Sequence, residues 1–140
     1  MRISQLSRVL TLSTLVGLLT SCGGGDSGTP LMMASPLNIA GNYSGSNTDS
    51  ASGHGMINAN VVQAGKSLSG LWTFSYPSIA NPAVSFMGTL NTNILTLSIP
   101  STSFSPCAYA VMGTVSGKQI AGSYMSANCG NSGTFSIARP

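Results

Sequence analysis

From residue 57 to residue 139, apolar and polar side chains alternate with a period of two in one short segment after another. Such alternation places every second side chain on one face of an extended strand, so one face is buried and the other wet. Leu68, Gly70, Trp72, Phe74 and Tyr76 share a face, as do Val84, Phe86, Gly88 and Leu90, then Leu95, Leu97 and Ile99. Tyr109, Val111, Gly113 and Val115 follow, then Ile120, Gly122 and Tyr124, and finally Phe135, Ile137 and Arg139. Ile57, Ala59 and Val61 add an upstream run, and a short strand at 41–46 brings the expected total to eight. Within 37–140 no window carries convincing helical periodicity.

The runs are joined as hairpins. Ala64-Gly65-Lys66-Ser67-Leu68-Ser69-Gly70-Leu71-Trp72 repeats loosely as Ser116-Gly117-Lys118-Gln119-Ile120-Ala121-Gly122-Ser123-Tyr124. Met87-Gly88-Thr89-Leu90 is echoed by Met112-Gly113-Thr114-Val115. Each Gly-Lys pair separates two alternating segments, as a two-residue turn must, because glycine accepts positive φ. Thr92-Asn93 holds the corresponding place in a third hairpin. Pairing outward from Gly117-Lys118 sets Val115 against Ile120, Gly113 against Gly122 and Val111 against Tyr124. Pairing outward from Thr92-Asn93 sets Leu90 against Leu95 and Phe86 against Ile99. Successive hairpins leave exposed edges unless the sheet closes on itself. The expected fold is all-β: an eight-stranded antiparallel up-and-down β-barrel, with a β-sandwich of the same strands as the alternative.

The N-terminal segment has a different logic. Arg2 and Arg8 precede an apolar stretch, residues 9–19, too short for the ~20 residues that span a hydrocarbon core. It ends in Leu19-Thr20-Ser21-Cys22, which resembles the lipobox of bacterial lipoproteins. That resemblance implies a signal peptide over 1–21, lipidation of Cys22 and attachment to a membrane through acyl chains. Gly23, rather than Asp, follows the Cys. In a Gram-negative cell the resemblance then implies the outer membrane. Residues 22–36 comprise the lipidated Cys and a Gly/Ser-rich flexible tether, and the barrel domain occupies 37–140.

Trimming the leader removes Arg2 and Arg8. Lys66, Lys118 and Arg139 then face Asp26 and Asp49, a formal surplus of one positive charge. Three dispersed cations cannot neutralise a run of phosphates, so a nucleic-acid partner is not expected. With Cys22 acylated, an export compartment leaves Cys107 and Cys129 as an even pair, expected as a disulfide. The hairpin register puts Cys107 opposite Asn128, so a β-bulge near 126–128 is expected to bring Cys129 into reach. Closing a loop of this length stabilises by roughly 3 kcal/mol in the chain-entropy view.

From about residue 40 onward the chain looks like the calycin group, the lipocalin-like and avidin-like barrels. Their opening Gly-x-Trp is matched by Gly41-Asn42-Tyr43, with Tyr for Trp, and Gly65-x-x-Leu68-x-Gly70-x-Trp72 resembles the run after the first avidin-type hairpin. The resemblance implies that Arg139, on the last strand, lies over Tyr43 in a cation–π contact. Ser44-Gly45-Ser46 does not match the polar residues that hold biotin in avidins.

Catalytic chemistry finds little material. His54 is the single histidine and Asp49 its nearest carboxylate, both in a Ser/Gly-rich segment, 47–55, read as a solvated loop. Two ligands fall short of a metal site, and no G-x-S-x-G elbow supports a Ser-His-Asp triad. No enzyme activity, cofactor or metal is expected. Tyr43, Trp72, Phe74, Tyr109 and Tyr124 are the candidate lining of a ligand cavity, against the alternative that they fill a small core. The functional expectation is a lipid-anchored binding module for a small apolar ligand. Its alternatives are an interaction or inhibitor protein acting on a secreted or host enzyme, and a structural envelope protein.

Overall fold

The computed structural model describes residues 37–77 and 83–140. The expected leader at 1–21, Cys22 and the tether at 22–36 lie outside the described residues. Eight strands follow one another: β1 (Gly41–Asp49), β2 (Gly53–Ala64), β3 (Ser67–Ser75), β4 (Val84–Asn91), β5 (Ile94–Ile99), β6 (Tyr109–Ser116), β7 (Gln119–Met125) and β8 (Ser132–Ala138). Each pairs antiparallel with the next, and β8 returns to β1, closing the barrel. The sandwich alternative is thereby set aside.

The period-two pattern becomes the inside and outside of the ring. Ile57, Ala59 and Val61 of β2 point inward, as do Leu68, Trp72 and Phe74 of β3 and Leu95, Leu97 and Ile99 of β5. Each large aliphatic or aromatic side chain so buried contributes roughly 1.5–3 kcal/mol. Trp72 fills the middle of the ring, with Phe135, Phe74 and Phe86 at 5.3, 5.9 and 6.2 Å between ring centroids.

The hairpin registers agree with the turn chemistry. Val115 meets Ile120, Gly113 meets Gly122 and Val111 meets Tyr124. Leu90 meets Leu95, and that ladder ends at Met87 and Ser98, one position short of the expected Phe86–Ile99 pair. In the turns 65–66, 92–93 and 117–118, only the first residue has positive φ: 62° at Gly65, 57° at Thr92 and 60° at Gly117. This is the type II′ pattern, whose twist suits the flanking strands. The turns are stitched to their neighbours by Leu90 N–H to the Lys66 carbonyl, Val115 N–H to that of Asn93 and Arg139 N–H to that of Lys118.

These three turns mark one end of the barrel, where the described chain also enters and leaves. Ile39 is packed into the core there, its N–H bonded to Gln63 Oε1 at 2.8 Å. The Arg139 guanidinium lies 6.0 Å from the centroid of the Tyr43 ring, as the resemblance implied, and donates to the Ala40 carbonyl at 2.8 Å. Tyr43 is buried, and its hydroxyl donates to the Ile39 carbonyl at 2.9 Å. Burial pushes that phenol above its ordinary value, against the opposing pull of Arg139.

Two expectations are corrected. β1 continues to Asp49 and β2 begins at Gly53, so 47–55 is mostly paired sheet and not a solvated loop. Alternation persists through its polar residues, and Asn47 and Asp49 face inward at 3% and 5% exposure. The sulfurs of Cys107 and Cys129 do lie at disulfide distance, with a Cα separation of 5.5 Å, but no bulge brings them there. β7 stops at Met125, and the chain turns through 126–130 by Gly130 N–H to the Ser126 carbonyl.

Candidate functional site

The other end of the barrel carries the longer described connections, 50–52, 100–108 and 126–131, together with Tyr76, Pro77 and Ala83 beside β3 and β4. The hydrophobic interior gives way there to a layer of tyrosines and then to a hydrogen-bonded group around one carboxylate. Phe74 lies 5.3 Å from Tyr124, 5.7 Å from Tyr109 and 6.4 Å from Tyr76 between ring centroids. Tyr109 and Tyr124 meet edge to face at 5.6 Å. Glycines on the neighbouring strands make room for these rings. A Cβ at Gly55 would collide with the Tyr76 ring, and one at Gly133 with Tyr124.

Asp49 organises what lies above the rings. Its Oδ1 accepts the backbone N–H groups of Ala51 and Ser52, both at 2.9 Å, which shapes the turn into β2. Its Oδ2 accepts the Tyr124 hydroxyl at 3.0 Å and the Asn131 amide at 3.1 Å. Because Tyr124 commits its proton to Asp49, its oxygen is free to accept from Asn47 Nδ2 at 2.9 Å. Asn47 Nδ2 also donates to the Tyr76 hydroxyl, and Asn131 Nδ2 to that of Tyr109 at 3.3 Å. The carbonyl oxygens of Asn47 and Asn131 have no protein donor.

The electrostatics follow from this geometry. Burial opposes the charge on Asp49, but four hydrogen bonds from Ala51, Ser52, Tyr124 and Asn131 outweigh it and hold the carboxyl below its usual range. Burial, then the hydrogen bond with Tyr76, drives the Tyr124 phenol far above its ordinary value. Tyr76 is raised by burial as well. The phenols therefore stay protonated, and Asp49 stays anionic at neutral pH.

A cysteine pair at disulfide distance flanks the network. Cys107 precedes Tyr109 and Cys129 precedes Asn131, so the disulfide-distance pair ties together the segments that deliver both side chains. Asn128 reinforces it, accepting the Ala108 N–H at 2.9 Å and donating to the Pro106 carbonyl at 2.7 Å. Phe104 stands 82% exposed on the same connection.

The five aromatic candidates do not form one lining. Phe74, Tyr109 and Tyr124 come together at the loop end, Trp72 is the packed centre, and Tyr43 lies at the tight-turn end under Arg139. Asp49 and His54 do not meet. Asp49 points inward, whereas His54 is exposed on the outer face, with Nδ1 3.0 Å from Thr48 Oγ1. Among the described residues no group of three or more His, Cys, Asp or Glu gathers as a metal site. Asn47 and Asn131 had no place in the reading of the sequence. The signal for Asn47 was alternation continuing from Tyr43 through Gly45 to Asn47 and Asp49. Asn131 had none, since its role depends on where the 126–131 turn delivers it.

No family model and no curated protein matches the chain. Among solved structures, a redesigned β-barrel is similar, with a TM-score of 0.59 at 13% identity over 73% of this chain and 91% of that one. Identity that low shows the fold alone: the described chain is a small, closed, eight-stranded antiparallel β-barrel.

Proposed function

We propose that the chain is a lipid-anchored lipoprotein of the cell envelope whose calycin-like barrel is a non-enzymatic binding module that recognises its partner with the Asp49 end. The anchor rests on Leu19-Thr20-Ser21-Cys22 behind a basic and apolar leader. The calycin-like reading is supported by Arg139 over Tyr43, the closing contact between last and first strands. The single observation that carries the choice of end is the concentration there of Asp49, Asn47, Asn131 and three tyrosine hydroxyls in one network. Such a buried network, braced by Cys107 and Cys129, holds the surrounding loops in a fixed shape, as recognition by rigid elements requires.

Within this reading a protein partner is favoured over an apolar ligand inside the barrel, because Trp72, Phe74, Phe86 and Phe135 occupy the space such a ligand would need. With Gly23 after the Cys, the location is the outer membrane in a Gram-negative cell. Neither a cofactor nor a nucleic-acid partner belongs to this reading.

Three measurements test it. Cells fed labelled palmitate should label the wild-type chain and not Cys22→Ser; an unlabelled wild-type chain ends the anchor reading. Crosslinked envelope partners should be lost on substitution of Phe104 or Ser103 by Arg at the loop end and kept for Asn93→Arg at the turn end. Displacement of a hydrophobic dye from the intact protein would instead restore the interior ligand.

A further inference from the structure

The charges of the described barrel are segregated along its axis. Lys66 and Lys118 are the second residues of two tight turns, and Arg139 is bonded to the Lys118 carbonyl at the same end. Asp49 is at the opposite end, on a strand of nine residues. At ~3.3 Å per residue and a tilt near 40°, the separation along the axis is about 20 Å. Lys118 Nζ donates to the Pro140 carbonyl oxygen at 3.2 Å, which holds that cation beside Arg139 at this end. A positive surplus marks the tight-turn end.

The described chain also begins at that end. Leu37 is held beside the first turn, its carbonyl accepting Gln63 Nε2 at 2.9 Å while the same amide bonds the Gly65 carbonyl. A chain with the length and Gly/Ser-rich composition of 23–36 would have a root-mean-square reach of about 20 Å. A membrane-bound Cys22 would thus keep this end within reach of the headgroups. Opposite charges separated by less than a Debye length, about 8 Å at physiological salt, attract effectively, whereas Asp49 lies well beyond it.

We infer that the tight-turn end, through Lys66, Lys118 and Arg139, docks on an anionic phospholipid surface and turns the Asp49 end away from it. This rests on the reading of Cys22 as the lipid anchor. Docking gives the module a fixed orientation: the closed end meets lipid and the loop end faces the aqueous side. Each cation brought to an anionic surface favours the docked state by about fivefold, so the tethered barrel is held mainly by the combination.

The chain supplies its own reporters. Lys66 and Lys118 are its only lysines, both exposed at one end, and His54 is its only histidine, exposed towards the other. The acylated protein is purified from membranes, placed in vesicles of phosphatidylcholine or phosphatidylglycerol, and treated with diethylpyrocarbonate, which modifies both residue types. On phosphatidylglycerol, modification of both lysines should fall about fivefold or more, with His54 unchanged. The protection should disappear on phosphatidylcholine, in 0.5 M salt added as a control, and in Asn93→Glu, which places an anion among the cations. Flotation with the vesicles reads the anchor separately. A chain that floats with neither lipid removes the anchor and the docking with it. A chain that floats with both, yet shows equal lysine reactivity on both, overturns the docking alone.

Discussion

The two ends of the barrel solve the same problem, joining antiparallel strands, by different means. At one end, turns of two residues do it with backbone conformation, and the side chains are free to be solvated. At the other, longer connections are held by side chains, through the Asp49 network, Asn128 and the Cys107–Cys129 pair. The lesson is that local geometry suffices where the chain reverses at once. A wider excursion leaves peptide groups that a side chain must satisfy, and those side chains concentrate polarity in one place. That concentration is what makes the loop end a candidate for recognition.

If this division is right, the largest losses of stability come from the loop end. Replacing Cys107 and Cys129 together by Ser should cost about 3 kcal/mol in chemical denaturation, because the unfolded chain regains the entropy of an open loop. Asp49→Ala should cost about 2–3 kcal/mol, since it strands the Tyr124 hydroxyl, the Asn131 amide and two backbone N–H groups at once. A loss under 0.5 kcal/mol for both would break the comparison.

Acid should act on the same end. The carboxyl of Asp49 is depressed in the folded state, so its contribution to stability is present above the unfolded carboxylate value near 4 and is lost as pH falls through the folded value. Thermal unfolding followed from pH 7 to pH 2 should show that loss in the wild type and a flatter profile in Asp49→Asn.

The tight-turn end should respond less, and to backbone changes alone. Gly117→Val forces a β-branched residue into positive φ and should cost about 1–2 kcal/mol, without altering the near-ultraviolet circular dichroism of the tyrosines. Thr92→Gly relieves the same strain and should raise stability by about 0.5–1 kcal/mol. A destabilised Thr92→Gly would show that the turn depends on its side chain after all.

The same contrast explains what the sequence revealed. Gly117-Lys118 and Thr92-Asn93 announce short turns, and apolar alternation on both sides leaves one register in which the buried faces match. The fold, the registers and the Arg139–Tyr43 contact were therefore legible from local pattern and one resemblance. The site was not. Asn47 and Asp49 occupy inward positions normally reserved for apolar residues, so their strand resembled a loop. Their meaning comes from Tyr124 and Asn131, whose hydrogen bonds span 75 to 82 residues of sequence. The bulge expected near 126–128 failed for a related reason. Extending a ladder assumes that the strand continues, whereas Ser126, Asn128 and Gly130 satisfy one another in a turn.

The return of β8 to β1 limits how anything else can bind. A sheet with a free margin can accept a foreign strand, whose main chain is recognised whatever its side chains. A ring offers no such margin, so a visiting peptide finds no row of vacant amides to zip onto. Selectivity must come from side chains on the wall or at the mouth, and the same closure denies copies of the barrel an edge along which to polymerise.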